Sequence, residues 1–113
     1  MNYTLKGVVI RGEGYGRKIG FPTVNLDVKN QELPKDGVYA GVATLEDKKY
    51  KTGIVIGAKN IIGKKVEAHL LGYSGDAYGK EVTLEVGKFL REYKNFDTEI
   101  ELITQIKEDI KRI

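Results

Sequence analysis

The 113-residue sequence is 41% hydrophobic and 31% charged, with a formal net charge of +3 and no cysteine. It suits one domain, residues 1 to 113, with a single modest core, and no apolar run approaches the roughly 18 residues of a membrane span. The lack of cysteine excludes disulfide bridges, thiolate metal sites and a cysteine nucleophile. Because the N-terminus has no apolar leader, we expect a cytoplasmic protein. A small positive charge suits polyanionic small molecules and nucleic acids alike.

The first strand is predicted at residues 3 to 11, which are rich in Val, Ile, Leu and Thr. It leads into GEGYGRKIGFPTVN, residues 12 to 25, where four glycines and two cations occur without a helix pattern behind them. A dinucleotide fingerprint would need a third glycine at Ile19 and a following helix. A P-loop is excluded too, because five residues rather than four separate Gly57 from Gly63. Neither common phosphate-loop motif explains this segment.

A glycine-rich loop can bind an anion without either motif. Successive glycines leave backbone N–H groups uncovered and permit positive φ, and Arg17 and Lys18 supply positive charge beside them. Pro22 stiffens the chain before Thr23 and Asn25, whose side chains point the same way in an extended segment. Two neutral oxygen ligands beside a phosphate loop suit a hard cation such as Mg²⁺, which keeps most of its shell as water and nucleotide oxygens.

Four further segments have the composition of strands and are bounded by Gly, Pro, Asn or Asp: residues 37 to 46, 49 to 57, 65 to 73 and 80 to 90. Polar turns are predicted at residues 46 to 48 and 74 to 76. Alternation predicts that one face of two strands is buried, through Val66, Ala68, Leu70, Val82, Leu84 and Val86. Strands joined without helices pair antiparallel, and about six of this length close or nearly close a small barrel.

The C-terminal segment changes to a helical period. Asp97 or Thr98 can serve as its N-cap, and Thr98 with Glu101 fits a capping box. Apolar residues recur there at steps of three and four: Leu102, Ile103, Ile106, Ile110 and Ile113. This stripe predicts a helix whose apolar side lies against the barrel.

Longer motifs follow one another along nearly the whole chain. GVVIRGEGYGRKIGFPTVNL is followed by PKDGVYAG, VEAHLL, GDAYGKEV and FLREYKNFD, and then by the closing helix. In this order they resemble the ATP-dependent riboflavin kinases, whose glycine-rich loop precedes a Pro-Thr-Ala-Asn motif. The resemblance implies a mainly all-β fold, a six-stranded antiparallel Greek-key β-barrel with a C-terminal α-helix. It implies transfer of the γ-phosphate of ATP to the 5′-hydroxyl of riboflavin, giving FMN and ADP.

The resemblance also assigns the nucleotide side of the site. The loop that covers the ATP phosphates in the family matches Gly12, Gly14, Gly16 and Arg17. The pair that holds magnesium and the phosphates matches Thr23 and Asn25, so Mg²⁺ is the expected cofactor. No segment resembles the adenylyltransferase part of the bifunctional bacterial enzymes, and we expect the reaction to stop at FMN.

The remaining assignments concern the reacting hydroxyl and the flavin. Glu67, in VEAHLL, matches the catalytic carboxylate of the family, which would orient the hydroxyl and accept its proton. Arg91 matches an arginine near the flavin and nucleotide, and Phe21 and Tyr78 are candidate apolar walls. The sequence departs from the family pattern at Val24, where alanine is usual, at Gly72, Tyr73 and Ala77, and in the short segment between Gly57 and Glu67.

Each motif also has an interpretation without function. The glycines could form a hairpin tip, Thr23 and Asn25 could be turn residues, and Glu67 could be a solvated strand carboxylate paired with a lysine. The sole histidine, His69, shares a face with Glu67. Because a lone histidine is more often a hydrogen-bonded structural residue, it is left out of the chemistry.

Two other classes of protein remain as alternatives. A nucleic-acid-binding barrel of the OB type is favoured by Lys59, Lys64 and Lys65 around one loop, but it lacks an evident stripe of aromatic residues interleaved with cations. A flavin-binding relative without turnover is the other. We expect riboflavin and ATP as partners, a monomer, and no nucleic-acid or membrane partner.

Overall fold

The computed structural model describes residues 3 to 12, 15 to 29, 31 to 60 and 63 to 113. Six strands and two helices follow one another in these ranges. The elements are β1 (Tyr3–Ile10), α1 (Tyr15–Lys18), β2 (Val24–Asp27), β3 (Gly37–Leu45), β4 (Lys48–Asn60), β5 (Gly63–Leu70), β6 (Glu81–Arg91) and α2 (Glu99–Lys111).

The six strands form one closed barrel in the order β1-β2-β5-β4-β3-β6, and every neighbouring pair is antiparallel. Strands β3, β4 and β5 are consecutive neighbours, and β6 returns to lie beside β3, which is the Greek-key arrangement. The six-stranded antiparallel barrel with a C-terminal helix is therefore confirmed.

The interior of the barrel is filled with hydrophobic side chains. The predicted alternation is confirmed, because Val66, Ala68, Leu70, Val82, Leu84 and Val86 are all at most 5% exposed. Leu5, Leu45, Ile54 and Ile56 complete the centre. A six-stranded barrel packed in this way leaves its binding surfaces on the outside of the wall and in the loops.

The hairpin between β3 and β4 explains one predicted turn. Leu45 pairs with Lys48, so Glu46 and Asp47 are the two connecting residues, and both have positive φ, 50° and 65°. Two positive φ values are the mark of a type I′ turn, whose twist matches that of the flanking strands.

Three local features differ from, or refine, the sequence-based expectation. Residues 24 to 27 are a barrel strand, β2, where only an extended segment was expected. The one-turn helix α1 follows the first glycines, where no helix was expected. Thr98 is the N-cap of α2, and its Oγ1 accepts a hydrogen bond from the Glu101 N–H at 3.2 Å. Neither described helix has the length and apolar character that crossing a bilayer requires.

Candidate active site

A groove of about 1460 Å³ runs along the outside of the barrel wall. The outward side chains of β2 and β5 form one side, the stripe of α2 forms another, and the segments following β1, β5 and β6 close the ends. Sites for one small ligand usually occupy roughly 300 to 1,000 Å³. This groove is therefore large enough for two ligands side by side.

The outward faces of β2 and β5 bring two predicted site residues together. Asn25 and Glu67 are directly paired across the two antiparallel strands, and such pairs have Cβ atoms roughly 5 Å apart. Their neighbours Leu26, Val66 and Ala68 are buried in the core, so Asn25 and Glu67 both project away from it. Both line the groove.

Gly12 covers the amide of Asn25 from above. A Cβ placed on Gly12 would lie only 2.1 Å from Nδ2 and 2.6 Å from Cγ of Asn25. No side chain larger than hydrogen fits there without moving Asn25. This close approach, rather than an unusual φ, is the reason for glycine at this position.

The residues around Asn25 fit a hard cation. The Oδ1 atom of Asn25 is shielded from solvent and has no hydrogen-bond partner among the described residues, which is costly for a buried acceptor unless a ligand meets it. Thr23 lies two positions earlier and exposes its side chain to the same groove. A neutral amide oxygen and a hydroxyl are the type of oxygen ligand that Mg²⁺ accepts. We refer to Gly12, Thr23, Asn25 and Glu67 as the Asn25 cluster.

The segment before Thr23 is tied to β5 by the only histidine of the sequence. His69 Nδ1 lies 2.7 Å from the carbonyl oxygen of Pro22, and the ring of Phe21 meets the imidazole edge to face at 6.1 Å between centroids. Phe21, predicted to contact the flavin, is half-buried and lines the groove beside His69.

Arg91, also predicted to contact the flavin, lines the groove but is engaged by the helix. Its Nε donates to both carboxylate oxygens of Asp109 at 3.0 and 3.2 Å, and its NH2 donates to Oδ2 at 2.9 Å. The Gln105 side chain donates to the same carboxylate at 2.9 Å. With only 20% and 9% of the Arg91 and Asp109 side chains exposed, this pair fixes α2 to the end of β6.

The apolar stripe of α2 faces the groove rather than a sealed core. Leu102, Ile106, Ile110 and Ile113 are half-buried and line it. At the end of the helix, Ile113 reaches the outer surface of β4, where a Cβ on Gly53 would lie 3.0 Å from Ile113 Cδ1. The prediction that the stripe lies against the barrel therefore holds at the C-terminal end of α2, and the other residues of the stripe line the groove.

Tyr78 stands at the rim of the groove, 51% exposed. The guanidinium of Arg11 lies over its ring, 4.2 Å from the centroid. Two backbone hydrogen bonds fix this rim to the end of β1, from Val9 N to Lys80 O at 2.8 Å and from Gly79 N to Val9 O at 2.9 Å. Tyr78 is thereby held beside the start of the glycine-rich loop.

The remaining predicted residues of the glycine-rich loop are Gly14, Gly16 and Arg17. Arg17 is exposed, belongs to α1 and lines the groove. Gly16 is part of α1, and Gly14 lies outside the described residues. Of the lysines that favoured a nucleic-acid barrel, Lys64 forms a 2.6 Å ion pair with Asp36.

None of the departures from the family pattern falls on a residue of the Asn25 cluster. Val24 packs against the barrel core, as does Tyr73, and Ala77 is 4% exposed. The short segment after Gly57 continues β4 and begins β5, and the tip between the two strands lies outside the described residues.

Sequence reasoning missed two residues of the groove, Arg11 and Asp109, whereas His69 is the hydrogen-bonded structural residue that was expected. The proximity of Arg11 to the glycines was a usable signal. Asp109 carried a weaker one, as a carboxylate four residues after Gln105 and next to the apolar Ile110.

Comparison with known proteins identifies the family of the chain. The family model for flavokinase, or riboflavin kinase, matches residues 1–113. The RNA-binding riboflavin kinase RibR of Bacillus subtilis is 36% identical over 110 residues, which are 94% of this chain and 47% of that protein. The bifunctional riboflavin kinase/FMN adenylyltransferase of Escherichia coli K12 is 33% identical over 111 residues, 95% of this chain and 36% of that protein. The chain thus spans half or less of these curated relatives.

Solved structures agree on the fold. A Streptococcus pneumoniae structure described as a macrolide-efflux protein has a TM-score of 0.88 and 28% identity, over 96% of this chain and 37% of that one. The riboflavin kinase of Trypanosoma brucei has a TM-score of 0.72 and 24% identity, over 97% of this chain and 76% of that one. With Gly12 against the amide of Asn25, with Glu67 paired to Asn25 across β2 and β5, and with a family model matched from end to end, this chain belongs to the riboflavin kinase (flavokinase) family.

Proposed function

We propose that this chain is a riboflavin kinase that transfers the γ-phosphate of ATP to the 5′-hydroxyl of riboflavin, with FMN and ADP as products. The observation that carries the proposal is the pairing of Asn25 with Glu67 across β2 and β5, under Gly12 and inside a groove wide enough for two ligands. The amide oxygen of Asn25, a potential metal ligand, and the carboxylate of Glu67, a potential base, then face the same part of the groove. Family membership supports the choice of reaction.

Glu67 is the proposed general base. The terminal hydroxyl of the sugar-alcohol chain must lose its proton as its oxygen bonds to the γ-phosphorus. A carboxylate within hydrogen-bond reach orients the oxygen and accepts that proton. Since Glu67 is mounted on the middle of a barrel strand, its Cα has little freedom to move, and much of the rate enhancement should come from positioning.

Thr23 and Asn25 would hold the magnesium ion, and the glycine-rich loop with Arg17 would hold the phosphates. When bound, the ion would neutralise charge on the phosphate oxygens and withdraw it from the transferred group. Gly12 lets the loop backbone approach Asn25 closely. Arg17 adds a positive side chain at the rim that can stabilise charge on the phosphoryl group.

The flavin ring is expected between α2 and the barrel wall. The half-buried apolar stripe of α2 offers an apolar surface for an aromatic ring system, and Phe21 and Tyr78 line the same groove. Arg91 is assigned an indirect role, since its Nε and NH2 groups donate to Asp109 and hold α2 in place, and its NH1 group donates to the Glu92 carbonyl oxygen. The sugar-alcohol chain would then run from this wall toward Glu67.

The direct test is the purified chain with riboflavin, Mg²⁺ and a panel of nucleoside triphosphates, with FMN formation followed by chromatography. FMN should appear with ATP or another triphosphate and should require the metal. Binding of FMN without any formation from riboflavin would instead identify a relative that has lost turnover.

Nucleic-acid binding is the second candidate, because one relative is described as an RNA-binding riboflavin kinase. A filter-binding assay with single-stranded oligonucleotide tests it against a thermal-shift assay with MgADP and riboflavin. Oligonucleotide binding that weakens steeply with salt, with no thermal shift from either small ligand, would reverse the ranking. We expect the opposite pattern.

A further inference from the structure

The hydrogen bond between His69 and Pro22 defines which ring nitrogen carries the proton. The Pro22 carbonyl oxygen can only accept, so the Nδ1 atom 2.7 Å away must donate. A neutral His69 is therefore the Nδ1–H tautomer. The imidazole thus acts as a donor that crosses from β5 to the segment before β2.

The backbone of that segment is outside the sheet and has no partner from the strand ladder. The paired residues of β2 and β5 end at Val24 and Ala68, and residues 21 to 23 have no regular secondary structure. Continued by one residue, the same register would place Thr23 beside His69. The side chain of His69 replaces the ladder hydrogen bonds that stop one residue earlier.

Phe21 supports the imidazole in this position. Its ring packs edge to face against His69 with 6.1 Å between centroids, an arrangement that restricts rotation of both rings. Pro22 adds a fixed φ. The peptide that leads into Thr23 is therefore restrained by the hydrogen bond of His69, the packing of Phe21 and the fixed φ of Pro22.

We propose that His69 is a positioning residue, whose Nδ1–H holds the Pro22 carbonyl so that the Thr23 hydroxyl stays directed at the ligand of Asn25. The inference rests on the proposed function, in which the Asn25 cluster binds metal and phosphate. It gives His69 a role in MgATP binding and no part in proton transfer, which is assigned to Glu67 on the same face of β5.

Two substitutions separate the two ring nitrogens. The amide nitrogen of His69→Asn can occupy the place of Nδ1 and still donate to Pro22, whereas that of His69→Gln reaches the place of Nε2 and leaves the carbonyl unpaired. The measurement is the calorimetric affinity for MgADP and for riboflavin, with the melting temperature of each variant.

His69→Gln should weaken MgADP binding about tenfold, the usual scale of one hydrogen bond, while His69→Asn should stay within about threefold of the unmodified chain. Riboflavin affinity should change less than MgADP affinity in His69→Gln, since riboflavin contacts neither Pro22 nor Thr23 in the proposed arrangement. Equal MgADP losses in the two variants would overturn the proposal. So would a loss confined to riboflavin, or one that follows the melting temperature alone.

A second measurement needs no variant. Because His69 is the one histidine in the sequence, its ring gives the only imidazole nitrogen signals in an NMR spectrum of the ¹⁵N-labelled chain. The proton should reside on Nδ1 in the free chain and with MgADP bound. A predominant Nε2–H tautomer would overturn the proposal even if neither variant folds. Absence of FMN formation by the unmodified chain would contradict the proposed kinase activity, and the MgADP comparison would still decide the role of His69.

Discussion

The two sides of the groove are built by different interactions. On the barrel side, backbone pairing of β2 with β5 sets Asn25 opposite Glu67, and the residues that flank them on the two strands are buried in the core or packed against it. On the helix side, α2 is fixed mainly by the side-chain pair of Arg91 and Asp109 and by partial burial of its apolar stripe. One wall is determined by strand register and the other by a few side chains.

This difference suggests a division of labour. Phosphoryl transfer depends on atoms held within a fraction of an ångström, and the strand wall provides that precision. A ring system held by apolar contact tolerates small shifts, and a helix anchored by side chains can adjust to it. Substitutions on the strand wall, formed by β2 and β5, should therefore change turnover and MgATP binding. Substitutions on the helix wall, formed by α2, should change riboflavin binding.

The largest expected effect comes from removing the base on the strand wall. Glu67→Gln should lower kcat by about 10²- to 10⁴-fold, because proton acceptance is lost while size is kept, and MgADP affinity should change little. Rapid-quench measurement of FMN formation checks this. Glu85→Gln, on the outside of β6 and away from the groove, is the matched control. A kcat near normal in Glu67→Gln would refute the base assignment.

The next effect concerns the close approach of Gly12 to Asn25. Gly12→Ala places a methyl group 2.1 Å from the Asn25 amide nitrogen, so either Asn25 or the loop must move. MgADP affinity should fall about 10- to 100-fold, as measured by calorimetry. The control is Gly20→Ala, where a Cβ has no atom within 4 Å, although its φ of 91° costs some stability. Equal losses at both positions would mean that loop conformation, not the contact, is responsible.

Loss of the oxygen ligands should have a somewhat smaller effect. Thr23→Ala or Asn25→Ala should weaken nucleotide binding about tenfold in the presence of Mg²⁺, and should change it much less when EDTA is present. Titration of ADP with and without the metal makes this comparison. Equal losses in both conditions would contradict a role in holding the metal.

The smallest effect on turnover is expected on the helix wall. Asp109→Asn leaves Arg91 without its anionic partner, and should lower the free energy of unfolding by about 2 to 3 kcal/mol, below the value for a fully buried pair because Arg91 is partly exposed. KM for riboflavin should rise about tenfold, and kcat should change less. Glu108→Gln removes an exposed pair on the same helix and should cost about 0.5 kcal/mol or less. A rise in KM for ATP instead would contradict the division between walls.

The sequence predicts the barrel and its core well because burial is encoded locally. Alternation alone identifies Val66, Ala68 and Leu70 as inward residues, and a polar turn is predicted at residues 46 to 48, although its type I′ geometry at Glu46 and Asp47 is seen only in the structure. Strand β2 is missed as a strand because it has only four residues, too few for a periodic signal.

The site is predicted less completely, because its contacts join distant parts of the chain. The motifs name Asn25 and Glu67, but their direct pairing depends on a register that neither motif contains. Arg91 is assigned to the flavin, and the apolar stripe that predicts α2 does not reveal that Asp109 of this helix is its partner. The proposed roles of the site residues, the monomeric state and the cytoplasmic location stay predictions.

The most direct test of the central claim is a crystal structure of the chain with riboflavin and MgADP. The account predicts the terminal hydroxyl of riboflavin within about 3 Å of a Glu67 carboxylate oxygen, the metal on the Thr23 and Asn25 side chains, and the flavin ring against α2. A riboflavin whose terminal hydroxyl lies away from Glu67, with the metal bound elsewhere, would contradict it.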